Sequence, residues 1–288
     1  MKSLVFKTLV ANNIHRRVPG GHRVARFLAR DMGSVPLHIE GHAPLYVDLR
    51  ALDEHALSLY RAAPLRQIPH EPAMTEAFRR LVRPEDTVFD VGANLGLHTL
   101  TFSKLAREVF AFEPNPSLTP NLRKTVANLP NARLLEVCLS ETDGSIDFHV
   151  SDWDHMLGSM SDWTGQPTKT LTLPARSLDS LVAAGEVPAP HVMKVDVEGA
   201  EMLVFRGAEK LFGGTGAPRV VIFEELNTAS RKLGIPDGAP AEFLRAKGYA
   251  LYLLEERGLV PLPEVRPHAA NLVAAKGDLV AGGPFELS

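Results

Sequence analysis

From residue 73 onward the apolar positions switch repeatedly between two periods. "TVFDVG", "EVFAFEP", "ARLLEVCLS", "HVMKVDVEG" and "RVVIFEEL" are short, nearly continuous apolar runs, the pattern of strands covered on both faces. "AMTEAFRRLV", "HTLTFSKLA", "LTPNLRKTVANL", "SLDSLVAAG" and "AEMLVFRGAEKLF" fall before or between them with apolar residues at helical spacing. Strands alternating with helices predict a parallel sheet in a doubly wound α/β fold. "GSIDFHVS" and "TKTLTLPA" bracket a polar loop and predict a hairpin region after the third strand. Helix "APAEFLRAKG" precedes "YALYLLEE", but no helix separates that run from "HAANLVAAKG", which predicts an antiparallel edge. Upstream, "VPLHIEG" and "APLYVDLR" predict a short hairpin with Gly41 in its turn, then a helix over 53–60 and a Pro-rich connector, "APLRQIPHEP". The chain therefore divides into an N-terminal cap over 1–72, a helix and a short hairpin, and a main domain over 73–288.

Composition narrows the class. A chain of 288 residues, 45% of them hydrophobic, suits one large globular domain with an extension. The formal net charge of −3 gives no overall basic field for nucleic acid or an anionic membrane, although Arg16, Arg17, Arg23, Arg26 and Arg30 form a local basic patch. Cys138 is the one cysteine, so no intrachain disulfide forms, which fits a reducing compartment. No apolar run approaches the ~20 residues of a membrane span. The N-terminal apolar stretch is interrupted by Lys7 and Asn12 and followed by arginines, the reverse of a signal peptide. It reads as an amphipathic helix, and the expected location is cytoplasmic.

In such sheets ligands sit at the carboxyl ends of the strands. Those ends carry Asp90, Glu113, Ser140, Asp196 and Glu224. "VFDVGANLGLHTLTFSKLA", residues 88–106, joins a strand to a helix through a turn holding Gly92 and Gly96. Free N–H groups at a helix start suit a ligand, and glycines let backbone approach it closely. A dinucleotide fingerprint needs glycine where Asn94 stands, and a Walker loop needs a Gly-Lys-Ser/Thr ending. The turn therefore suits something other than a pyrophosphate. Glu113 follows about twenty residues on, where a carboxylate accepts hydrogen bonds from a ribose diol; the plainer reading is a solvated acid before Pro114 and Pro116. Asp90 lies inside an apolar strand, and a buried carboxylate must find partners: the N–H groups of the turn or a cationic ligand group.

"DVGANLG", "AFEPNP" and "KVDVEGAE", in this order and spacing, resemble the FkbM-type S-adenosylmethionine-dependent methyltransferases. The likeness runs through "TDGSIDFHV", "RSLDSL" and "VVIFEEL", over roughly residues 88–226. It implies a Rossmann-like class I methyltransferase fold, α/β with a seven-stranded, mostly parallel, doubly wound sheet whose last strand inserts antiparallel. It implies S-adenosylmethionine as cofactor, with Asp90, Gly92, Ala93, Asn94 and Gly96 at its methionine end. Glu113, beside Pro114, would bind the ribose hydroxyls. Residues 138–140 would lie near adenine, with Ser140 the nearest polar group. Glu71 matches an upstream Glu-Pro of the family and would face the cofactor's amino group, or simply start a helix. A site rich in acids suits a ligand carrying a sulfonium and an ammonium.

Methyl transfer to a hydroxyl asks for alignment and a proton acceptor. Asp196, at the fourth strand end, is the first candidate base and also a cofactor contact; Glu198 and Glu201 follow in "DVEGAE". An acid at Glu201 also stabilises a helix start. Lys194 is placed to pair with one of these acids. A magnesium alternative uses Asp196, Glu224 and Glu225, with Asn227 beyond, since oxygen ligands suit that ion; the family resemblance does not demand it. The loop "SDWDHMLGSMSDWTG" gathers Trp153, His155, Met156, Met160 and Trp163, which suggests a lid or acceptor wall, with His155 another candidate base. The expected activity is O-methylation of a small-molecule acceptor, a sugar or secondary metabolite. The alternatives are an N-methyltransferase on a small molecule or peptide, a nicotinamide-dependent oxidoreductase, which lacks its glycine at Asn94 and a Tyr-x-x-x-Lys pair, and a non-catalytic partner protein. Neither a nucleic-acid partner nor a transmembrane segment is expected; a homodimer is compatible with the chain.

Overall fold

A computed structural model describes residues 2–12, 14–50, 54–63, 65, 71–151, 158–162, 168–256, 258–262 and 269–276. Helices Lys2–Ala11, Ile14–Arg17 and Gly21–Ala29 open the chain. Strands β1 (Ser34–Leu37) and β2 (Leu45–Asp48) then form the antiparallel hairpin expected. The hairpin is tied to the main body where the Tyr46 N–H donates to Thr125 Oγ1 at 3.0 Å. The apolar cluster of these first elements, which includes Phe6, Val10, Leu37 and Leu57, continues into Leu95, Leu97, Leu100 and Leu118. That one apolar cluster thus joins the first elements to the main body.

The main sheet contains β3 (Thr87–Val91), β4 (Glu108–Phe112), β5 (Ala132–Leu135), β10 (Val192–Val195), β11 (Val220–Leu226), β12 (Ala250–Glu255), β13 (Gly258–Pro261) and β14 (Ala269–Ala275). Their order is β13-β12-β14-β11-β10-β3-β4-β5. β5, β4, β3, β10 and β11 are parallel neighbours, and β14 runs antiparallel between β11 and β12. This is a mixed α/β fold with a large, mostly parallel sheet. Among the described residues the sheet has eight strands where seven were expected, because β13 turns back on β12 and extends the edge. The antiparallel β14 is internal rather than an edge. Its apolar Leu272, Val273 and Ala274 are all buried, which requires cover on both faces.

Alternation along the central strands supplies two cores. Phe89, Val91, Met193, Val195, Val221 and Phe223 pack to one side with Phe205 and Phe212. Val88, Val192, Val220 and Ile222 pack to the other with Phe78 and Phe102. The run "ARLLEVCLS" does not form one strand. It leaves the main sheet after Leu135, and β6 (Cys138–Leu139) joins a second sheet with β7 (Gly144–Ser151), β8 (Gly158–Ser159) and β9 (Thr168–Arg176), in the order β6-β9-β7-β8. "AEMLVFRGAEKLF" likewise splits into helices Glu201–Arg206 and Glu209–Gly213. The break lies at Gly207, where a Cβ would meet the Ser140 carbonyl oxygen at 2.0 Å. An unforeseen helix, Asn227–Lys232, follows β11.

Candidate active site

Register brings the chemistry into one row. Val91 pairs with Phe112 on one side and Val195 on the other, and Val195 pairs with Phe223. Gly92, Glu113, Asp196 and Glu224 therefore leave adjacent strands at the same level. A cavity of ≈ 290 Å³ opens there. Its walls include Gly92, Ala93, Asn94, Glu113, Pro114 and Asp196 among the expected cofactor residues, and Glu198 among the expected catalytic ones.

The turn after β3 is held by left-handed backbone at Gly92, Asn94 and Gly96, with φ of 76°, 54° and 90°. Asparagine is among the non-glycine residues that best tolerate that region. At Gly92 a Cβ would sit 1.9 Å from the Asp196 carbonyl oxygen, so no larger residue fits. Gly96 packs toward Leu122 and is not part of the cavity wall. Asp90 is also one layer back. It is fully buried, accepts from Thr99 Oγ1 at 2.5 Å through Oδ2, and lies 3.5 Å from Lys194 Nζ through Oδ1, an atom without a hydrogen-bond partner.

Lys194 is the cation at the centre of the site. Its Nζ donates to the Gly92 carbonyl at 2.9 Å and lies 3.3 Å from Asp196 Oδ2. Burial works against its charge, but Asp196 and Asp90 outweigh that and hold its pKa above the ordinary lysine range. Glu113 accepts from the Asn94 N–H at 2.8 Å and the Asn115 N–H at 2.9 Å, one on each oxygen. Each oxygen keeps a lone pair for a further donor. Burial pushes its pKa up to about 7, against the pull of those two N–H groups and of Lys194.

The far wall comes from the bend after β5: Val137, Cys138 and Leu139 line the cavity, and Ser140 does not. The bend carries Ser140 past the wall to pack against Gly207. Burial pushes the Cys138 thiol up to about 12, with Glu113 adding to the effect. The second sheet closes the cavity with Phe148, Gly158 and Met160. Ser159 Oγ donates to the Glu198 carbonyl at 3.0 Å and fastens this arm to the turn after β10. Trp153, His155, Met156 and Trp163 lie outside the described residues.

At the mouth, Asp196, Glu198 and Glu224 each bring a carboxylate oxygen within 4.8 Å of the others. Among the described residues these three, rather than the expected Asp196, Glu224 and Glu225, are grouped closely enough to hold a cation. Alternation along β11 sends Glu225 to the opposite face, where it is buried. Burial, then the charges of Asp196 and Glu198, push Glu224 up to about 8. Glu198 is a non-glycine residue at φ 54°. Glu201, expected among the catalytic acids, lies beneath the turn instead. It is fully buried, and its Oε1 accepts from the Val197 and Gly199 N–H groups at 3.0 and 3.2 Å. Burial pushes it up to about 8.

Glu71 starts helix Pro72–Leu81 with φ 47°. It stands off the wall behind His98, whose Nε2 lies 3.3 Å from Glu71 Oε2. His98, Asn115, Val137 and Phe148 also line the cavity, and sequence reasoning missed them; Cys138 and Leu139, which it placed near the adenine, line it too. Only the helix start after Gly96 could have pointed to His98.

A model of the methyltransferase FkbM domain matches residues 90–251. The hexuronic acid methyltransferase AglP of Haloferax volcanii is 37% identical over 43% of this chain and 50% of its own. The 2-O-methyltransferase NoeI of Sinorhizobium fredii is 28% identical over 45% of this chain and 60% of its own. The chain thus spans about half the length of the curated relatives it matches. The crystal structure of an FkbM methyltransferase from Methylobacillus flagellatus KT aligns with 95% of this chain and 60% of that one, at 13% identity and a TM-score of 0.47.

Proposed function

The chain belongs to the FkbM methyltransferase family, and on that premise we propose that it is an S-adenosylmethionine-dependent O-methyltransferase acting on a sugar hydroxyl. The observation that carries the reading is Glu113: a buried carboxylate, already organised by two turn N–H groups, with acceptor capacity left at the cavity wall. A ribose diol uses that capacity. Among the described residues the acids at the strand ends outnumber Lys194, the cation they surround, and that excess suits a ligand that brings positive charge. Glu113, Asn94 and the Gly92 turn would hold the cofactor, with Val137, Cys138 and Leu139 against its base. When bound, the cofactor supplies an already activated methyl group.

What remains for the protein is to align the acceptor, exclude water and take one proton. Asp196 is the proton acceptor in this reading. It lines the cavity and is oriented by Lys194. Glu198 and Glu224 keep the mouth acidic, and Met160 and Phe148 form the dry wall. The sugar acceptor is taken from the names of the two relatives. The experiment is methyl transfer from labelled cofactor to a panel of hexoses and hexuronic acids by the wild type and Asp196→Asn. A base role is expected to cost the variant roughly a hundredfold in turnover, with cofactor affinity unchanged. Loss of wild-type activity to a chelator, restored by magnesium, would instead assign Asp196, Glu198 and Glu224 to a metal.

A further inference from the structure

The first 30 residues hold seven lysines and arginines and no aspartate or glutamate, leaving 24 cations against 34 acids in the remainder. Apolar exposure has the same bias. Among the described residues, the exposed large hydrophobic side chains are Val5, Val18, Val24 and Phe27, with Phe27 61% exposed. Helix Gly21–Ala29 shows how the two features combine. Ala25, Leu28 and Ala29 are buried in the cap core. Arg23, Val24, Arg26, Phe27 and Arg30 are exposed, and their spacing puts them on one face of the helix. A solvated helix face ordinarily mixes charges of both signs and keeps large apolar groups inside. Within residues 23–30 the exposed face is arginine and hydrocarbon, with the exposed acid Asp31 following at the helix end.

We infer that this face docks on the surface of an anionic lipid bilayer. Lipid headgroup charges answer Arg23, Arg26 and Arg30, while Val24 and Phe27 enter the interface between headgroups and chains. The helix uses its wholly apolar side for its own core, so the attachment is peripheral and shallow. No helix among the described residues is long and apolar enough to cross a membrane. Nucleic acid would meet the arginines and one aromatic ring, Phe27, but gains nothing from the exposed Val5, Val18 and Val24, which cannot stack on bases. A second copy in a two-fold contact would oppose like charges. The same apolar cluster includes Leu95, Leu97 and Leu118 of the cavity wall, so the cap fixes the cavity relative to the surface it binds.

The test is co-sedimentation of the full chain with vesicles of pure phosphatidylcholine and of phosphatidylcholine mixed with phosphatidylglycerol, at low and high salt. Binding is expected to the mixed vesicles alone, weakening with salt. At roughly 1 kcal/mol per basic residue near an anionic surface, neutralising three arginines by Arg23→Gln, Arg26→Gln and Arg30→Gln is expected to lower partition by about a hundredfold. Val24→Ser with Phe27→Ser is expected to leave a weaker binding that salt removes entirely. All five positions are exposed, so an unchanged melting temperature certifies the fold of each variant. Absence of binding to mixed vesicles at low salt, equal binding by the neutralised variant, or binding of homopolymer RNA in place of vesicles would each overturn the inference.

Discussion

Three non-glycine residues adopt left-handed backbone among the described residues, Glu71, Asn94 and Glu198, and all three border or approach the cavity. Such strain persists where surrounding structure enforces it, at roughly 1–3 kcal/mol each. Glu198→Gly relieves it and removes an acid from the mouth. The variant is expected to melt at the wild-type temperature or a few degrees above, with reduced methyl transfer; a lower melting temperature would show that the Glu198 side chain holds the fold. Glu201 is the opposite case. Glu201→Gln keeps an acceptor for the Val197 and Gly199 N–H groups, whereas Glu201→Ala leaves both without it. The alanine variant is expected to lose about 1–3 kcal/mol in denaturant titration and the glutamine variant far less. Equal losses would mean that the charge, not the hydrogen bonding, matters there.

At the scale of elements, the arm of the second sheet is fastened to the turn after β10 by the hydrogen bond from Ser159 Oγ to the Glu198 carbonyl. Ser159→Ala is expected to cost about 1 kcal/mol of stability and to raise KM for the acceptor more than it lowers kcat; a change in kcat alone would contradict a wall-positioning role. The elements also explain what the sequence revealed and what it hid. The parallel strands and the Gly92 turn were legible because buried strands and glycine spacing leave local patterns. Glu113 was legible because its distance from the turn is set by one helix and one strand. Ser140 was misplaced because "ARLLEVCLS" carries no mark of the bend after Leu135, which depends on pairing with distant β9. Glu225 was grouped with Glu224 because adjacency in sequence looks like adjacency in space, and strand alternation separates them. His98 stayed hidden because the helix start after Gly96 marks a ligand-facing turn but not which of its side chains faces the cavity.

For the whole molecule, three buried or half-buried carboxyls converge on the strand ends and hold their protons to higher pH than usual: Glu113 to about 7, and Glu201 and Glu224 to about 8. Between their ordinary 4.5 and these values the folded chain binds more protons than the unfolded one. Stability without ligand is therefore expected to be full at the acid end of that window and to fall as pH rises through it; a melting temperature that climbs from pH 5 to 8 would contradict the burial of these acids. Ligand binding runs the other way, because a ribose diol donates best to ionised Glu113. The central claim is that the cavity at the strand ends is an S-adenosylmethionine site organised by Glu113. Calorimetric titration of the full chain with S-adenosylmethionine, S-adenosylhomocysteine and NAD tests it most directly. S-adenosylmethionine and S-adenosylhomocysteine are expected to bind in the micromolar range, more tightly as pH rises through about 7. Glu113→Gln, whose amide can accept only one of the two turn N–H groups, is expected to bind about ten- to a hundredfold more weakly and to melt lower, and NAD is expected to give no heat. Binding of NAD, or S-adenosylmethionine affinity indifferent to the Glu113→Gln change, would contradict the claim.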